Sequence, residues 1–120
     1  MWVDKFTIRN LELFSSNGGR EKCSFADVID RTLTPMGGRL LKRWIAMPVK
    51  DTVQINERLD VVGHFIEDAD LADTVREQVA LVGDMERIAS RIAAARVTPR
   101  ELVQLKNSLF AVELLKATLE

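Results

Sequence analysis

Apolar and polar positions change their rhythm twice along this chain. Over Phe6-Thr7-Ile8-Arg9-Asn10-Leu11-Glu12-Leu13-Phe14 they alternate imperfectly, which predicts a short extended segment or bent strand with Phe6, Ile8, Leu11 and Leu13 on covered faces. Ser15-Ser16-Asn17-Gly18-Gly19 breaks that pattern as a turn does. Residues 1–23 are therefore expected to be an opening strand and turn, whose partner strand the rest of the chain does not supply. From residue 24 onward the spacing is that of helices. Ser24, with Asp27 three residues on, predicts a cap for a helix from Phe25 to about Arg31. Thr34-Pro35 opens the next, because proline fits a first-turn position that needs no N–H donor. That helix places Met36, Leu40, Leu41, Trp44 and Ile45 on one face and ends before Pro48. Gly37-Gly38 lowers its helix propensity, so the first turn is either approached closely by another backbone or loosely wound.

The pattern continues to the end. Asp51 can cap a helix striped by Ile55, Leu59, Val62 and Ile66, widened by Val61 and Phe65. Asp70 can cap another, with Leu71, Val75, Val79 and Val82 on one side. Gly83-Asp84 restarts the chain, and Met85, Ile88, Ala89, Ile92 and Ala93 follow helical spacing. Thr98-Pro99-Arg100-Glu101 is the clearest capping box in the sequence, opening a helix that runs to Glu120. Its second half, Leu109-Phe110-Ala111-Val112-Glu113-Leu114-Leu115, is apolar on nearly all sides, and such a helix expects neighbours on all sides. The C-terminus is accordingly expected to be a cut through a longer structure. The fold class expected is all-α: a helical-bundle fragment of about five helices, residues 24–120, after a short extended N-terminal segment. Trp44, Leu59, Val62, Ile88, Ile92 and Leu105 are the expected core. Trp44→Ala, if that ring is buried, should cost roughly 3–5 kcal/mol.

Composition adds limits. The chain has 120 residues, 47% of them apolar, and a formal net charge of -1, which suits one globular domain or part of one. Residues 1–50 carry 9 Lys and Arg against 5 Asp and Glu, a net of +4; residues 51–120 carry 8 against 13, a net of -5. A single cysteine, Cys23, excludes an internal disulfide and a four-cysteine zinc site. The first residues lack the basic-then-apolar order of a signal peptide, and no apolar run approaches the roughly 18 residues of a membrane span. The expected setting is cytoplasmic, with no membrane partner.

Candidate chemistry is sparse. His64 is the only histidine; Asp60 and Asp68 lie four residues to either side, and a packed or half-exposed side chain is the plainer reading than a metal ligand. Cys23 follows Lys22 and reads as a bystander thiol. Gly18-Gly19-Arg20 and Gly37-Gly38-Arg39 belong to no phosphate loop, and G-x-G-x-x-G is absent. Asp68 and Asp70 fall in a surface loop. Arg39, Lys42 and Arg43 share a helix side and are the candidate contacts to phosphate or to another domain, against the plainer reading of a solvated face. Trp44 and Phe65 lie on apolar stripes and read as packing residues. Arg87, Arg91 and Arg96 are expected to form an intramolecular charge network with Asp84 and Glu86. No catalytic, cofactor-binding or metal-binding residue is assigned.

Several segments together carry a resemblance. Arg31-Thr32-Leu33-Thr34-Pro35-Met36-Gly37-Gly38-Arg39-Leu40-Leu41-Lys42-Arg43-Trp44-Ile45, then Met47-Pro48-Val49 and Asp51, resemble the start of the core domain, domain III, of bacterial MutS mismatch-repair proteins. Thr7-Ile8-Arg9-Asn10-Leu11-Glu12-Leu13 looks like the lead-in to that domain. Arg58-Leu59-Asp60-Val61-Val62, Gly83-Asp84-Met85-Glu86-Arg87-Ile88, Ser90-Arg91 and Pro99-Arg100-Glu101-Leu102 fall in the family's order, so the match covers about residues 6–110. Met85 stands where the family often has leucine, and Cys23 is peculiar to this chain. The resemblance implies a non-catalytic structural and coupling segment. In the parent it would link an ATPase to the parts that hold mismatched DNA. The mismatch-reading domain, the clamp and the ATPase, with its ATP and Mg, lie elsewhere in that parent, so no family site residue carries over. The expected partners are the parent's other domains and, through the parent, mismatched DNA. A fragment homodimer through the C-terminal helix is a further expectation. The alternative is a free-standing helical module that binds a protein or a nucleic acid.

Overall fold

Asp4 sets the first element. In the computed structural model, which describes residues 3–16 and 23–120, its carboxylate accepts the N–H groups of Phe6 and Thr7 at 2.9 and 3.0 Å and the Thr7 hydroxyl at 2.7 Å. This caps α1, Lys5–Asn10. The opening strand is thus corrected to a helix, because local capping by Asp4 outweighs a two-residue periodicity only a few residues long. Phe6 and Leu11, expected to be covered, are 75% and 61% exposed. Helix α1 ends in a Schellman motif: Glu12 N–H donates to the Arg9 carbonyl and Leu13 N–H to that of Ile8, with Glu12 at φ 50. Part of the expected turn, Asn17 to Gly19, lies outside the described residues.

Helix α2, Phe25–Ile29, begins with a reciprocal capping box between Ser24 and Asp27. The first two N–H groups of α2 find partners outside it: Phe25 donates to the Glu12 carbonyl and Ala26 to that of Leu13. Every early donor of this short helix is satisfied, which is how five residues hold helical form. Helix α3, Pro35–Ala46, starts on its proline, and the Ala46 carbonyl accepts the Val3 N–H. At Gly38 the nearest neighbours are side chains, Thr32 and Asp30, and not the other backbone expected from the sequence. A Cβ on Gly38 would stand 3.3 Å from Thr32 Oγ1.

Helix α4, Thr52–Glu67, is capped by Asp51, which accepts the Val53 N–H at 3.0 Å. Helix α5, Ala69–Ala80, is capped by Asp68 and not by Asp70. Asp68 stands three residues before Leu71, whose N–H it accepts at 2.9 Å, and Asp70 falls inside the first turn, where negative charge is favourable. Helix α6, Met85–Ala93, is capped by Asp84, and α7, Pro99–Leu119, by the Thr98–Glu101 box. The class is all-α, with seven helices among the described residues.

The protein divides into two compact units, residues 1–32 with 37–60, and residues 33–36 with 61–120. In the first, Ser24 and Ala26 are buried. In the second, α7 packs on α5 and α6 over Val82, Ile88, Ser108 and Ala111, all at or below 9% exposure. The inner side of α7 is Leu105, Ser108, Ala111, Leu115 and Thr118, buried or half-buried at intervals of three and four residues.

Three polar tethers fix α7 at three heights. Arg91 pairs with Glu101 at 2.8 Å. The Ser108 hydroxyl accepts the Gly83 N–H at 2.9 Å and donates to the Gln104 carbonyl. Gln78 donates from Nε2 to the Thr118 hydroxyl at 2.9 Å. Gly83 is required here, because a Cβ would lie 3.1 Å from Ser108 Oγ and 3.2 Å from Gln104 Nε2.

Of the expected core, only Ile88 is buried. Trp44, Leu59, Val62 and Ile92 are 44%, 59%, 53% and 42% exposed, and Leu105 is half-buried. Their stripes are real helix faces that the described residues leave partly uncovered.

Candidate functional site

Arg39, Lys42 and Arg43 lie at i, i+3 and i+4 on α3, which places them on one side of it, and all three are exposed. The opposite side of that helix carries the half-buried Leu41 and Ile45. The basic side is not a bare cationic field. Asp27 and Asp30 both feel the Lys42 charge. The Asp27 carboxyl is held below its ordinary value first by hydrogen bonds from the Ser24 hydroxyl and N–H, with Lys42 adding to them. Asp30 is lowered first by the Thr32 hydroxyl and N–H, at 2.6 and 2.9 Å, and again by Lys42. The Lys42 charge thus adds to what favours the ionised forms of Asp27 and Asp30, and Arg39 and Arg43 lie on the same side of α3.

Next to this side, the Arg58 guanidinium lies 3.9 Å from the centroid of the Trp44 ring. That geometry joins α3 to α4 by a cation–π contact. Nothing in the sequence signals it, since the two residues are 14 apart on different helices. Trp44 also helps line an open, mostly apolar hollow with Leu11, Leu13, Phe25, Ile45 and Pro48, to which Asp4 and Thr7 add polar groups.

The other candidates do not converge. His64 is exposed, and its ring is tilted 53° to that of Phe65 with centroids 6.1 Å apart. Among the described residues no three His, Cys, Asp or Glu side chains are grouped to hold a metal. Cys23 is free and exposed. Arg91 pairs with Glu101 at 2.8 Å, a carboxylate outside the expected set of Asp84 and Glu86. Asp84 is engaged in capping α6 through the Arg87 N–H. Glu101 serves twice, accepting the Thr98 N–H at 2.8 Å and pairing with Arg91. Its carboxyl is held below the ordinary value by the Thr98 N–H first, then by the Thr98 hydroxyl, Arg91 and Arg87. The sequence flagged Glu101 as a cap; its second role depends on how α6 and α7 pack. Among the described residues no helix is long and apolar enough to cross a membrane.

The features that stand out are thus caps, tethers and uncovered apolar helix faces, those of an all-α packing segment. The family profile of MutS domain III matches residues 6–120, and the chain belongs to that family. It is 52% identical over 116 residues to the DNA mismatch repair protein MutS of Phocaeicola vulgatus and equally to that of Bacteroides thetaiotaomicron, covering 95% of this chain in each case. The corresponding protein of Christiangramia forsetii is 46% identical over 112 residues, 93% of this chain. The matched region is 13% of the length of each of these relatives.

Proposed function

We propose that this chain is a non-catalytic coupling segment of a MutS-type DNA mismatch-repair protein, carrying displacement between an ATPase and the parts that hold mismatched DNA. ATP and Mg would act in that ATPase, outside these residues, and the setting would be cytoplasmic. The observation that supports this reading is the imbalance between tethering and burial. Helix α7 is held in one register by three polar contacts, yet Leu102, Val103, Leu109, Phe110 and Leu114 on its other sides are 47–58% exposed. A stiff element that fits its own unit and still presents apolar surface suits a part that joins others. The test is a Glu101→Gln/Ser108→Ala variant of the full-length protein, which removes two of the three tethers. Basal ATP hydrolysis should stay within about twofold, while its stimulation by mismatched duplex falls several-fold. Unchanged stimulation, with helicity and melting temperature retained, would overturn the proposal.

A second reading rests on Arg39 and Arg43, exposed on one side of α3: a contact to DNA phosphate or to an acidic face of a partner domain. Removing one cation that neutralises a phosphate should lower the salt slope of DNA binding by about one. Arg39→Gln/Arg43→Gln in the full-length protein should therefore weaken binding to matched and mismatched duplex alike. A salt slope equal to that of the unaltered protein excludes phosphate, and unchanged melting temperature besides would exclude the domain contact.

A further inference from the structure

The three tethers of α7 are not equally complete. At the first, Arg91 and Glu101 form a charged pair. At the middle one, the Ser108 hydroxyl both accepts from Gly83 and donates to Gln104. At the third, the Gln78 amide donates from Nε2 to the Thr118 hydroxyl, but its own Oε1 is covered from solvent and no donor among the described residues reaches it. Turning the amide over does not repair this, because the Thr118 O–H is already given to the Leu114 carbonyl at 3.0 Å. Covering an acceptor without a donor costs at least as much as an ordinary hydrogen bond contributes. Burial falls off in the same direction. Ser108 and Ala111 are buried, whereas Leu115 and Thr118 are only half-buried, and Leu114 and Leu119 are mostly exposed. The Lys116–Glu120 ion pair lies within this end of the chain and is exposed, so it does nothing to hold α7 to α5.

We infer that the inner side of the end of α7 is a releasable latch: residues 112–119 part from α5 at the Gln78–Thr118 contact while the Ser108 and Glu101 tethers hold. The contact joins the last turn of α5 to the last turn of α7. When it opens, the Gln78 carbonyl gains water as a donor, and that gain offsets the loss of the single bond to Thr118. Little apolar surface has to be uncovered at the same time. Release of this end is therefore a local opening, easier than any opening that must break the buried contacts around Ser108. The latch is a property of the α5–α7 contact itself, so it goes beyond the coupling reading and does not depend on it.

The two ends of this one hydrogen bond should respond with opposite signs. Gln78→Met keeps the length of the side chain, removes the unmet oxygen and leaves Thr118 donating to Leu114. Thr118→Val takes away the acceptor of Gln78 Nε2 and so adds a second unmet group to the same amide. The measurement is amide hydrogen exchange, followed peptide by peptide in the full-length protein. Before any substitution, exchange over residues 112–119 should be several-fold faster than over residues 101–111. Gln78→Met should slow exchange over 112–119 about fivefold or more, as relief of a covered acceptor implies. Thr118→Val should speed it several-fold, and neither should alter exchange over 101–111. Two variants that both speed exchange would mark an ordinary lock, with a buried water completing the Gln78 carbonyl, and would overturn the inference. Equal exchange along the whole of α7, no response to either variant, or a lower melting temperature for Gln78→Met would overturn it as well. The coupling proposal fails on a different readout, the mismatch stimulation of ATP hydrolysis, so the two failures are distinguishable.

Discussion

Two residues carry the reversals of this chain at a conformational cost. Helix α6 ends in a Schellman motif: Ala95 N–H donates to the Ile92 carbonyl and Arg96 N–H to that of Arg91 at 2.8 Å, with Ala95 at φ 53. Helix α1 ends the same way at Glu12. Left-handed backbone costs a residue with a Cβ roughly 1 kcal/mol, a penalty that glycine escapes. Ala95→Gly should therefore raise unfolding free energy by about 0.5–1 kcal/mol, read by urea denaturation; a decrease would show that the Ala95 methyl packs well enough to outweigh its strain. Trp44 gives the opposite lesson. Its stripe position predicted a core residue, but the ring is 44% exposed under the Arg58 guanidinium. Trp44→Ala should cost about 1–2 kcal/mol, counting partial burial and an exposed cation–π contact. A cost of about 3 kcal/mol or more in the same measurement, the range of a fully buried ring, would mean that something further covers it.

At the scale of elements, the glycines separate two kinds of helix environment. Gly63 lies inside α4, and apart from its own helix backbone nothing stands within 4 Å of where its Cβ would be, so Gly63→Ala should stabilise the chain by up to about 1 kcal/mol through helix propensity. Gly83, wedged against Ser108 and Gln104, should respond in the reverse sense. Gly83→Ala is expected to cost about 1–3 kcal/mol by overpacking and by disturbing the bond to the Ser108 hydroxyl. Thermal unfolding of both variants side by side checks the pair, and equal signs would refute the distinction. Helix boundaries were legible in the sequence where a cap announced them, as at Ser24, Asp51 and Thr98. They were misread where two acids competed, at Asp68 and Asp70, and where α1 was too short to display a helical period. The basic side of α3 was legible from spacing alone. The nearness of Lys42 to Asp27 and Asp30, and the Arg91–Glu101 pair, depend on which helices meet, and no local pattern encodes that.

At the scale of the whole molecule, acid should be the condition that loosens the fold. Asp4, Asp27, Asp30 and Glu101 all have carboxyls held below their ordinary values, chiefly by hydrogen bonds from Thr7, Ser24, Thr32 and Thr98 respectively. A carboxyl lowered in the folded state contributes stability that is present above its unfolded value and lost as pH falls through the folded one. Melting temperature should thus be flat from neutral pH down to about 5 and decline below about 4, near the unfolded values of Asp and Glu. A decline already complete at about pH 6, where histidine titrates, would point to another group. The three tethers along α7 have a mechanical consequence of their own. Residues 101 to 118 span about 26 Å of helix at 1.5 Å per residue, and the tethers sit near both ends and the middle of that span. A pull along the helix axis loads all three in parallel, as in shear, whereas a pull across it opens them one after another, as in peeling. The unit should accordingly be stiff to an axial pull and yielding to a sideways one, so that of the forces reaching it, α7 passes on those directed along its own length.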